Sequence, residues 1–210
     1  MNNFQALGIS AGLVKGLTEL NIIEPTYIQQ NVIPILLAGP TDIVAQAQTG
    51  TGKTAAYGLP LLEKIDPTLG VVQGLILCPT RELAQQVAKQ LFKFTKYSAK
   101  IFTEAVYGGE HIDRQIGALK RPTHIVVATP GRLIDLIKRK AVDLNAVKSV
   151  VLDEADEMLS MGFKKELDEI LSFLPAVESK WLFSATIPNE IKAIISKHLA
   201  ENATRIDVKQ

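Results

Sequence analysis

Five short apolar runs constrain the fold of this chain more than any other feature of its sequence. Each run is continuous rather than alternating, which is typical of parallel strands that are covered on both faces. Between the runs, apolar residues recur with helical period, as Leu83, Val87 and Leu91 do. This alternation predicts an α/β fold in which helices cover both faces of a mostly parallel, twisted sheet. The five runs are residues 43–45, 75–78, 125–128, 150–152 and 181–183.

Composition narrows the class of protein. The 210 residues are 47% hydrophobic and 21% charged, which is ordinary globular usage and excludes a disordered chain. Lys and Arg number 23 against 22 Asp and Glu, so the net charge is +1 and nucleic acid must bind, if at all, on a local patch. The single Cys78 indicates a reducing compartment, and no apolar run is long enough for a membrane helix. We expect a cytoplasmic protein without a membrane partner or a signal peptide.

Residues 1–40 differ from the rest of the chain. Two helices, over about residues 10–20 and 26–37, are predicted before the first core strand. We expect this N-terminal segment to pack on the same domain as residues 41–210, which form the main lobe.

A polar segment follows each predicted strand. In open α/β sheets, ligands bind outside the carboxyl ends of the strands, so five such segments predict one composite site. The segments are residues 46–54, 79–84, 129–132, 153–156 and 184–186.

The segment after the first strand predicts a phosphate-binding loop. Gly50 and Gly52 allow a tight turn that aims backbone N–H groups at phosphate oxygens, and a helix beginning near Lys53 adds its positive end. We expect Lys53 to be surface-exposed and to reach the β- and γ-phosphates, while Thr54 holds Mg²⁺. The alternative is a glycine-rich turn that merely begins a helix. The full loop runs through Gln48, Thr49, Gly50, Thr51, Gly52, Lys53 and Thr54.

Two acidic residues end the fourth predicted strand. Asp153 stands where a phosphate-loop enzyme keeps its second contact to Mg²⁺, and Glu154 is a candidate base for the attacking water. The alternative is an acidic helix N-terminus, which the helix dipole favours by itself.

Two arginines begin helices, where a positive charge is poorly placed for helix stability. Arg81 and Arg132 therefore suggest bound anions. The alternatives are a solvated charge or an ion pair, for example of Arg81 with Glu82 or Asp153. The Gly108-Gly109 pair is by itself a turn at the end of a strand.

Together these segments resemble the N-terminal, RecA-like lobe of the DEAD-box RNA helicases, over nearly the whole chain. Residues 47–54 resemble motif I, residues 79–84 motif Ia, residues 153–156 motif II and residues 184–186 motif III. Gly108-Gly109 and residues 129–132 resemble the next two nucleic-acid motifs of that family. The order of all these segments along the chain also matches.

The resemblance extends to an upstream motif that senses adenine. Pro25 to Gln29 match its core, and Phe4 lies where the family keeps an isolated aromatic. The resemblance implies that Gln29 hydrogen-bonds the adenine edge and that Phe4 packs on the base. Without it, Gln29 is a solvated helix residue and Phe4 a hydrophobic anchor. The family's usual Gly-aromatic pair is replaced here by Asn21-Ile22.

The resemblance also implies ATP and Mg²⁺ as cofactors and single-stranded or duplex RNA as the partner. Asp156, Ser184 and Thr186 would couple hydrolysis to strand separation. Contacts to the RNA sugar-phosphate backbone carry no sequence information, so we expect sequence-independent binding. The family's second RecA-like lobe would be a further partner and is absent from this chain. The implied RNA contacts are Pro79, Thr80, Arg81, Gly108, Gly109, Thr129, Pro130, Gly131 and Arg132.

We therefore predict the ATP-binding lobe of an RNA-dependent ATPase and helicase. A second hypothesis is a nucleotide- and RNA-binding module that is catalytically idle by itself. A third, a phosphate-loop kinase for a small metabolite, explains residues 47–54 and leaves residues 79–84, 129–132 and 184–186 unexplained.

Overall fold

A seven-stranded parallel sheet forms the centre of the computed structural model, which describes residues 3–208. Its strand order is β3-β4-β2-β5-β6-β1-β7, and every neighbouring pair is parallel. The strands are β1 (Ile43–Gln46), β2 (Gly74–Leu77), β3 (Thr103–Val106), β4 (Ile125–Ala128), β5 (Ser149–Leu152), β6 (Ser179–Ser184) and β7 (Thr204–Asp207).

Ten helices accompany the sheet within residues 3–208, and none of them has the length and apolar character needed to cross a bilayer. They are α1 (Asn3–Ala6), α2 (Ala11–Glu19), α3 (Tyr27–Leu37), α4 (Lys53–Glu63), α5 (Arg81–Phe94), α6 (Ile112–Leu119), α7 (Pro130–Lys138), α8 (Ala155–Ser160), α9 (Lys164–Ser172) and α10 (Asn189–His198).

Helices cover both faces of the sheet. One apolar cluster packs α2 to α5 against one face and contains Leu17, Tyr57 and Leu91. A second cluster, which contains Leu133 and Ile191, packs α7 to α10 against the other face. The central strands β2, β4 and β5 are buried along their whole length. The five predicted strands and the predicted three-layer α/β arrangement are confirmed.

The two edge strands, β3 and β7, are not among the five predicted runs, although the Gly108-Gly109 turn predicts the end of a strand where β3 ends. Residues 103–106 and 204–207 mix polar with apolar side chains and are only partly buried. An edge strand has one partner, so it does not need the continuous apolar run that marks an internal strand.

The N-terminal helices pack on this same core. Phe4, Leu17 and Ile33 belong to the cluster beneath the sheet. A close approach between α2 and α5 depends on Gly16, because a Cβ there would lie 2.5 Å from the Phe94 carbonyl oxygen. The division of the chain into residues 1–40 and 41–210 stays a prediction, and residues 1, 2, 209 and 210 lie outside the described range.

The strand order decides which loops meet. The ends of β3, β4 and β2 are neighbours, and they carry Gly108-Gly109, residues 129–132 and residues 79–81. The ends of β5, β6 and β1 are also neighbours, and they carry the acidic, Ser-Ala-Thr and glycine-rich segments. The pairing of β2 with β5 joins these two halves at the middle of the sheet.

Candidate functional site

A cavity of about 550 Å³ opens at the carboxyl end of the sheet. Its walls come from the start of α3, the loop between β1 and α4, one face of α5, and the acidic pair after β5. Its size suits a nucleotide, since ligand cavities commonly enclose about 300–1,000 Å³. The lining residues are Ile22, Glu24, Thr26, Gln29, Thr49, Gly50, Gly52, Lys53, Thr54, Ala55, Leu83, Gln86, Val87, Gln90, Phe94, Asp153 and Glu154.

The loop between β1 and α4 has the backbone geometry of a phosphate cradle. Gly50 and Gly52 adopt positive φ angles of 76° and 88°, which residues with a Cβ rarely reach. Thr51 closes the loop by donating its hydroxyl to the Gln48 carbonyl at 2.8 Å. Because α4 begins at Lys53, the N–H groups of its first turn face the cavity mouth without intrahelical partners.

The expectation that Lys53 is surface-exposed is wrong. Its side chain is 7% exposed, and Nζ lies 3.7 Å from Oδ1 of the equally buried Asp153. Within residues 3–208, neither of these two atoms has a hydrogen-bond partner. A buried ammonium and a buried carboxylate oxygen that both border one cavity fit a phosphate group accompanied by a divalent cation.

The second oxygen of Asp153 is bound. Oδ2 accepts a hydrogen bond of 2.8 Å from the hydroxyl of Tyr57, a wholly buried residue of α4. Burial raises the pKa of the Asp153 carboxyl above its ordinary value, and the charge of Lys53 and the Tyr57 hydroxyl offset only part of that rise.

Glu154 sits in a strained backbone conformation. Its φ and ψ of 52° and 51° lie in the left-handed region, which costs energy for any residue other than glycine. Burial, followed by the neighbouring Asp153 charge, raises the pKa of Glu154. A carboxylate with a raised pKa is a better general base near neutral pH, so the environment of Glu154 suits proton abstraction from water.

Within residues 3–208, no three His, Cys, Asp or Glu side chains are grouped so as to hold a metal by themselves. This arrangement suits Mg²⁺, which commonly binds through one or two carboxylates and the phosphates of a substrate. Asp153 and Thr54 both line the cavity and could supply those protein contacts.

Gln29 joins α3 to the phosphate loop. Its Oε1 accepts from the Thr26 backbone at 2.9 Å, and its Nε2 donates to the Gly52 carbonyl at 3.0 Å. A primary amide has two N–H donors and two lone pairs, so one of each remains for a base. Gln29 and the half-buried Ile22 both line the cavity, whereas the buried Pro25 does not.

Phe4 does not line this cavity. Its ring is fully buried in the cluster beneath the sheet, which matches the alternative of a hydrophobic anchor and leaves no ring face open to a base. An aromatic ring gains more from complete burial in the core than from partial cover at a cavity wall.

Asp156 links α8 to the turn after β6. Its Oδ2 accepts from the hydroxyl and the backbone N–H of Thr186, at 2.8 and 3.1 Å. The Asp156 N–H donates to Ser184 Oγ, which itself donates to the Thr186 carbonyl. The structure therefore brings together the three residues predicted to couple hydrolysis to strand separation.

The two arginines predicted to bind anions have different surroundings. Arg81 is exposed, and its guanidinium lies 5.0 Å from the centre of the Tyr107 ring. Within residues 3–208 it forms neither of the two suggested ion pairs, with Glu82 or with Asp153. Arg132 is half-buried and donates to Gln115 Oε1 at 2.9 Å and to the Glu110 carbonyl at 3.0 Å. Arg81 is thus available to a ligand, while Arg132 holds the turn that follows Gly109.

The neighbouring backbone groups also favour anions. Thr80 caps α5 by accepting a hydrogen bond from Leu83, and Thr129 with Pro130 begins α7. The starts of these helices follow β2 and β4, which are adjacent strands. Gly109, at a φ of 85°, lies beside Arg81, so two helix N-termini and one cation share this edge.

One face of α5 was missed as part of the cavity wall. The α5 residues Leu83, Gln86, Val87 and Gln90 line the cavity together with Phe94. Their spacing predicts one face of a helix, which the sequence pattern assigns to the core. That this face also borders Lys53 depends on the strand order, which one sequence does not reveal. No motif in the sequence indicated the hydrogen bond between Tyr57 and Asp153.

The fold and the loop between β1 and α4 define a phosphate-loop protein of the α/β class. The sequence model of the family described as "DEAD/DEAH box helicase" matches residues 26–194 of this chain. The chain belongs to the DEAD/DEAH box helicase family.

Curated relatives extend well beyond the matched region. The DEAD-box ATP-dependent RNA helicase CshA of Bacillus cereus is 48% identical over 201 residues, which cover 96% of this chain and 38% of that protein. The RNA helicase CrhR of Synechocystis sp. is 49% identical over 209 residues, which cover 100% of this chain and 42% of that protein. The chain thus spans about two fifths of the length of these relatives.

Solved structures of the family have the same fold. A DEAD box protein from the hyperthermophile Methanococcus jannaschii has a TM-score of 0.91 and 40% identity, covering 99% of this chain and 56% of its own. Dbp5 of S. cerevisiae, bound to Gle1 and IP6, has a TM-score of 0.87 and 31% identity, and the match covers 100% of this chain and 53% of the Dbp5 chain. The predicted RecA-like fold is confirmed.

The Asp156 network predicts a pH-dependent contribution to stability. Burial pushes the pKa of Asp156 up, yet the hydrogen bonds from the hydroxyl and the backbone N–H of Thr186 hold it below its ordinary value. Ionised Asp156 therefore stabilises the fold above about pH 4, and this contribution is lost as the pH falls through the folded-state pKa. Asp156→Asn should lower the free energy of unfolding by about 1 kcal/mol at neutral pH, after allowance for solvent screening.

Urea unfolding at pH 7 and at pH 3 measures the difference between wild type and Asp156→Asn. The difference should be smaller at pH 3 than at pH 7. Glu157→Gln is the matched control, because Glu157 is an exposed acid in the same first turn of α8. An equal loss in both variants, or a loss that does not change with pH, would contradict the role given to the network.

Proposed function

We propose that this chain is the ATP-binding, RNA-contacting N-terminal lobe of an ATP-dependent RNA helicase. The observation that carries the proposal is the strand order. Nucleotide-type segments follow β5, β6 and β1, and anion-binding turns follow β3, β4 and β2, so two ligands can bind side by side on one edge. The family membership and the names of the relatives support the same assignment.

The nucleotide half supplies positioning and charge. Backbone N–H groups of residues 49–54 and the Lys53 ammonium would hold the phosphates, with Thr54 and Asp153 facing Mg²⁺. When bound, Mg²⁺ neutralises charge that develops on the phosphate oxygens. Glu154 would orient the attacking water and take its proton, for which its raised pKa is suited.

The second half offers contacts to a sugar-phosphate backbone. Arg81 would supply the exposed cation, and the starts of α5 and α7 would supply backbone N–H groups. Arg132 would act by holding the Gly108-Gly109 turn in place, because its guanidinium is already bound to Gln115 and Glu110. These groups would contact the sugar-phosphate backbone, which carries no sequence information, so binding would be independent of sequence.

Asp156, Ser184 and Thr186 would couple hydrolysis to strand separation. Asp156 lies two residues after Glu154 and contacts the turn after β6, so a shift of the catalytic base would be transmitted to Ser184 and Thr186. The proposal includes a second RecA-like lobe as the partner that completes both sites, and a cytoplasmic location that suits the buried, unpaired Cys78.

A nucleotide- and RNA-binding module without catalysis by itself is the second candidate. Within residues 3–208, no arginine lines the nucleotide cavity, although such a residue commonly stabilises the transition state of phosphoryl transfer. A metabolite kinase is not favoured, because it gives no role to the anion-binding turns beyond β2 and β4.

Lys53→Ala tests the phosphate site. The variant should bind Mg²⁺-ADP about 10- to 100-fold more weakly, which is the value of one hydrogen bond to a charged group. It should still fold, because Asp153 keeps its hydrogen bond to Tyr57. Calorimetry measures the affinity, with Lys64→Ala on the exposed end of α4 as the control. Unchanged affinity in a folded Lys53→Ala would falsify the phosphate-loop assignment.

Gln29 predicts a preference for adenine over guanine. Its spare lone pair can accept from the N6 amino group of adenine and its spare N–H can donate to N7, whereas guanine presents an acceptor at the first of these positions. ADP should therefore bind more tightly than GDP, and Gln29→Ala should remove the preference, because alanine can neither accept from N6 nor donate to N7. The ratio of the two dissociation constants is the readout, because damage to the Gly52 contact weakens both nucleotides alike. Equal affinities in wild type would overturn the adenine assignment.

The 210-residue chain by itself should hydrolyse ATP very slowly and should not unwind duplexes. Lys53 and the loop stabilise the transition state from one side, while the arginine that commonly covers the other side is worth about 10³–10⁵ in rate. RNA should stimulate the rate little, and its binding should show a shallow salt dependence because few phosphates are contacted.

The measurement is steady-state turnover at saturating ATP, with and without single-stranded RNA. Glu154→Gln reports contaminating activity, because it keeps the size of the side chain but cannot take a proton. A wild-type rate of about one per second or more would show that the catalytic site is complete within this chain.

A further inference from the structure

Tyr57 is a buried group that the proposed mechanism leaves without a role. It lies one helical turn after Lys53 on α4, so both side chains point the same way. Lys53 approaches Oδ1 of Asp153 at 3.7 Å, and the Tyr57 hydroxyl donates to Oδ2 at 2.8 Å. Two residues of the same helix therefore face the two oxygens of one carboxylate, and only the Tyr57 hydroxyl forms a hydrogen bond with it.

The Tyr57 ring is fixed by packing. It is fully buried, and its centre lies 5.3 Å from that of Phe183 on β6. A hydroxyl on such a ring cannot follow a moving carboxylate. Its hydrogen bond therefore selects one rotation of the Asp153 side chain, in which Oδ2 faces the core.

That rotation has a consequence for the cavity. With Oδ2 bound to Tyr57, Oδ1 is the oxygen left for another partner. Asp153 lines the cavity, and within residues 3–208 its Oδ1 has no hydrogen-bond partner. Without the hydroxyl, a buried carboxylate would lose one partner and would gain by turning both oxygens toward the Lys53 ammonium. Such a closed pair would compete with phosphate for Lys53 and with a cation for Asp153.

We propose that Tyr57 is a positioning residue, which holds the Asp153 carboxylate open toward Mg²⁺ and prevents a closed pair with Lys53. The proposal rests on the Mg²⁺-nucleotide site described under the proposed function. It assigns no contact between Tyr57 and the ligand itself, so its effect is expected on the metal-dependent part of nucleotide binding.

The test is the affinity for ADP, measured by calorimetry in excess Mg²⁺ and in EDTA. The ratio of the two dissociation constants gives the gain from Mg²⁺. Tyr57→Phe removes one oxygen atom and should reduce this gain by about 3- to 10-fold, less than the roughly 10- to 100-fold value of a complete charged hydrogen bond. Affinity in EDTA should fall by a smaller factor, because the closed pair engages Lys53 while the backbone contacts of the loop to phosphate remain.

Two controls separate the hydrogen bond from other effects of the substitution. Tyr97→Phe removes a partly exposed hydroxyl on the segment after α5 and should change nothing. In an Asp153→Asn background, Tyr57→Phe should have no further effect on the gain, since the carboxylate through which it acts is absent.

Failure of the Mg²⁺-nucleotide site and failure of the Tyr57 role give different results. If wild-type protein gains nothing from Mg²⁺, the proposed Mg²⁺-nucleotide site is wrong. If wild type gains and folded Tyr57→Phe gains equally, or if Tyr57→Phe still reduces the gain in the Asp153→Asn background, the role of Tyr57 is wrong.

A second measurement uses wild-type protein alone and does not depend on any variant folding. The Tyr57 hydroxyl proton should be observable by NMR in slow exchange, both without ligand and with Mg²⁺-ADP. Its disappearance on binding would overturn the proposal, because the carboxylate would then have left the hydroxyl in the loaded state.

Discussion

The burial of both faces of a parallel sheet is the constraint on which this structure depends. Strands β2, β4 and β5 expose no edge or face to water, so their polar neighbours in sequence are displaced to the strand ends. Because all seven strands run in one direction, the carboxyl ends lie along a single edge. Every segment to which we assign chemistry follows one of those ends or packs beside one.

The site at this edge carries unfavourable terms in the protein without ligand. A buried Lys53 and a buried Asp153 lie too far apart for a good hydrogen bond, and Glu154 adopts a left-handed backbone beside them. Burial of charges that are incompletely paired costs stability, and so does backbone strain. A bound phosphate and cation would satisfy the same atoms, so ligand binding and stability should be coupled.

Much of this arrangement could be predicted from the sequence. Continuous apolar runs identify the internal strands, and the glycines at 50 and 52 with Lys53 identify the phosphate loop, because these signals are local. Strand β7, the α5 face and the Tyr57 hydrogen bond could not be predicted. The last joins residues 96 positions apart, and the burial of Lys53 likewise depends on packing between elements that are distant in sequence. The burial of Phe4 in the core shows that a resemblance can assign a position without fixing the direction of its side chain.

The central claim is that the strand order divides one sheet edge into a nucleotide half and a nucleic-acid half. Chemical-shift mapping of the labelled chain, titrated first with Mg²⁺-ADP and then with single-stranded RNA, tests it directly. The account predicts that ADP shifts resonances of residues after β1 and β5, and that RNA shifts those of Arg81, Gly109 and Gly131 without displacing ADP. Overlap of the two perturbed surfaces, or release of ADP by RNA, would contradict it.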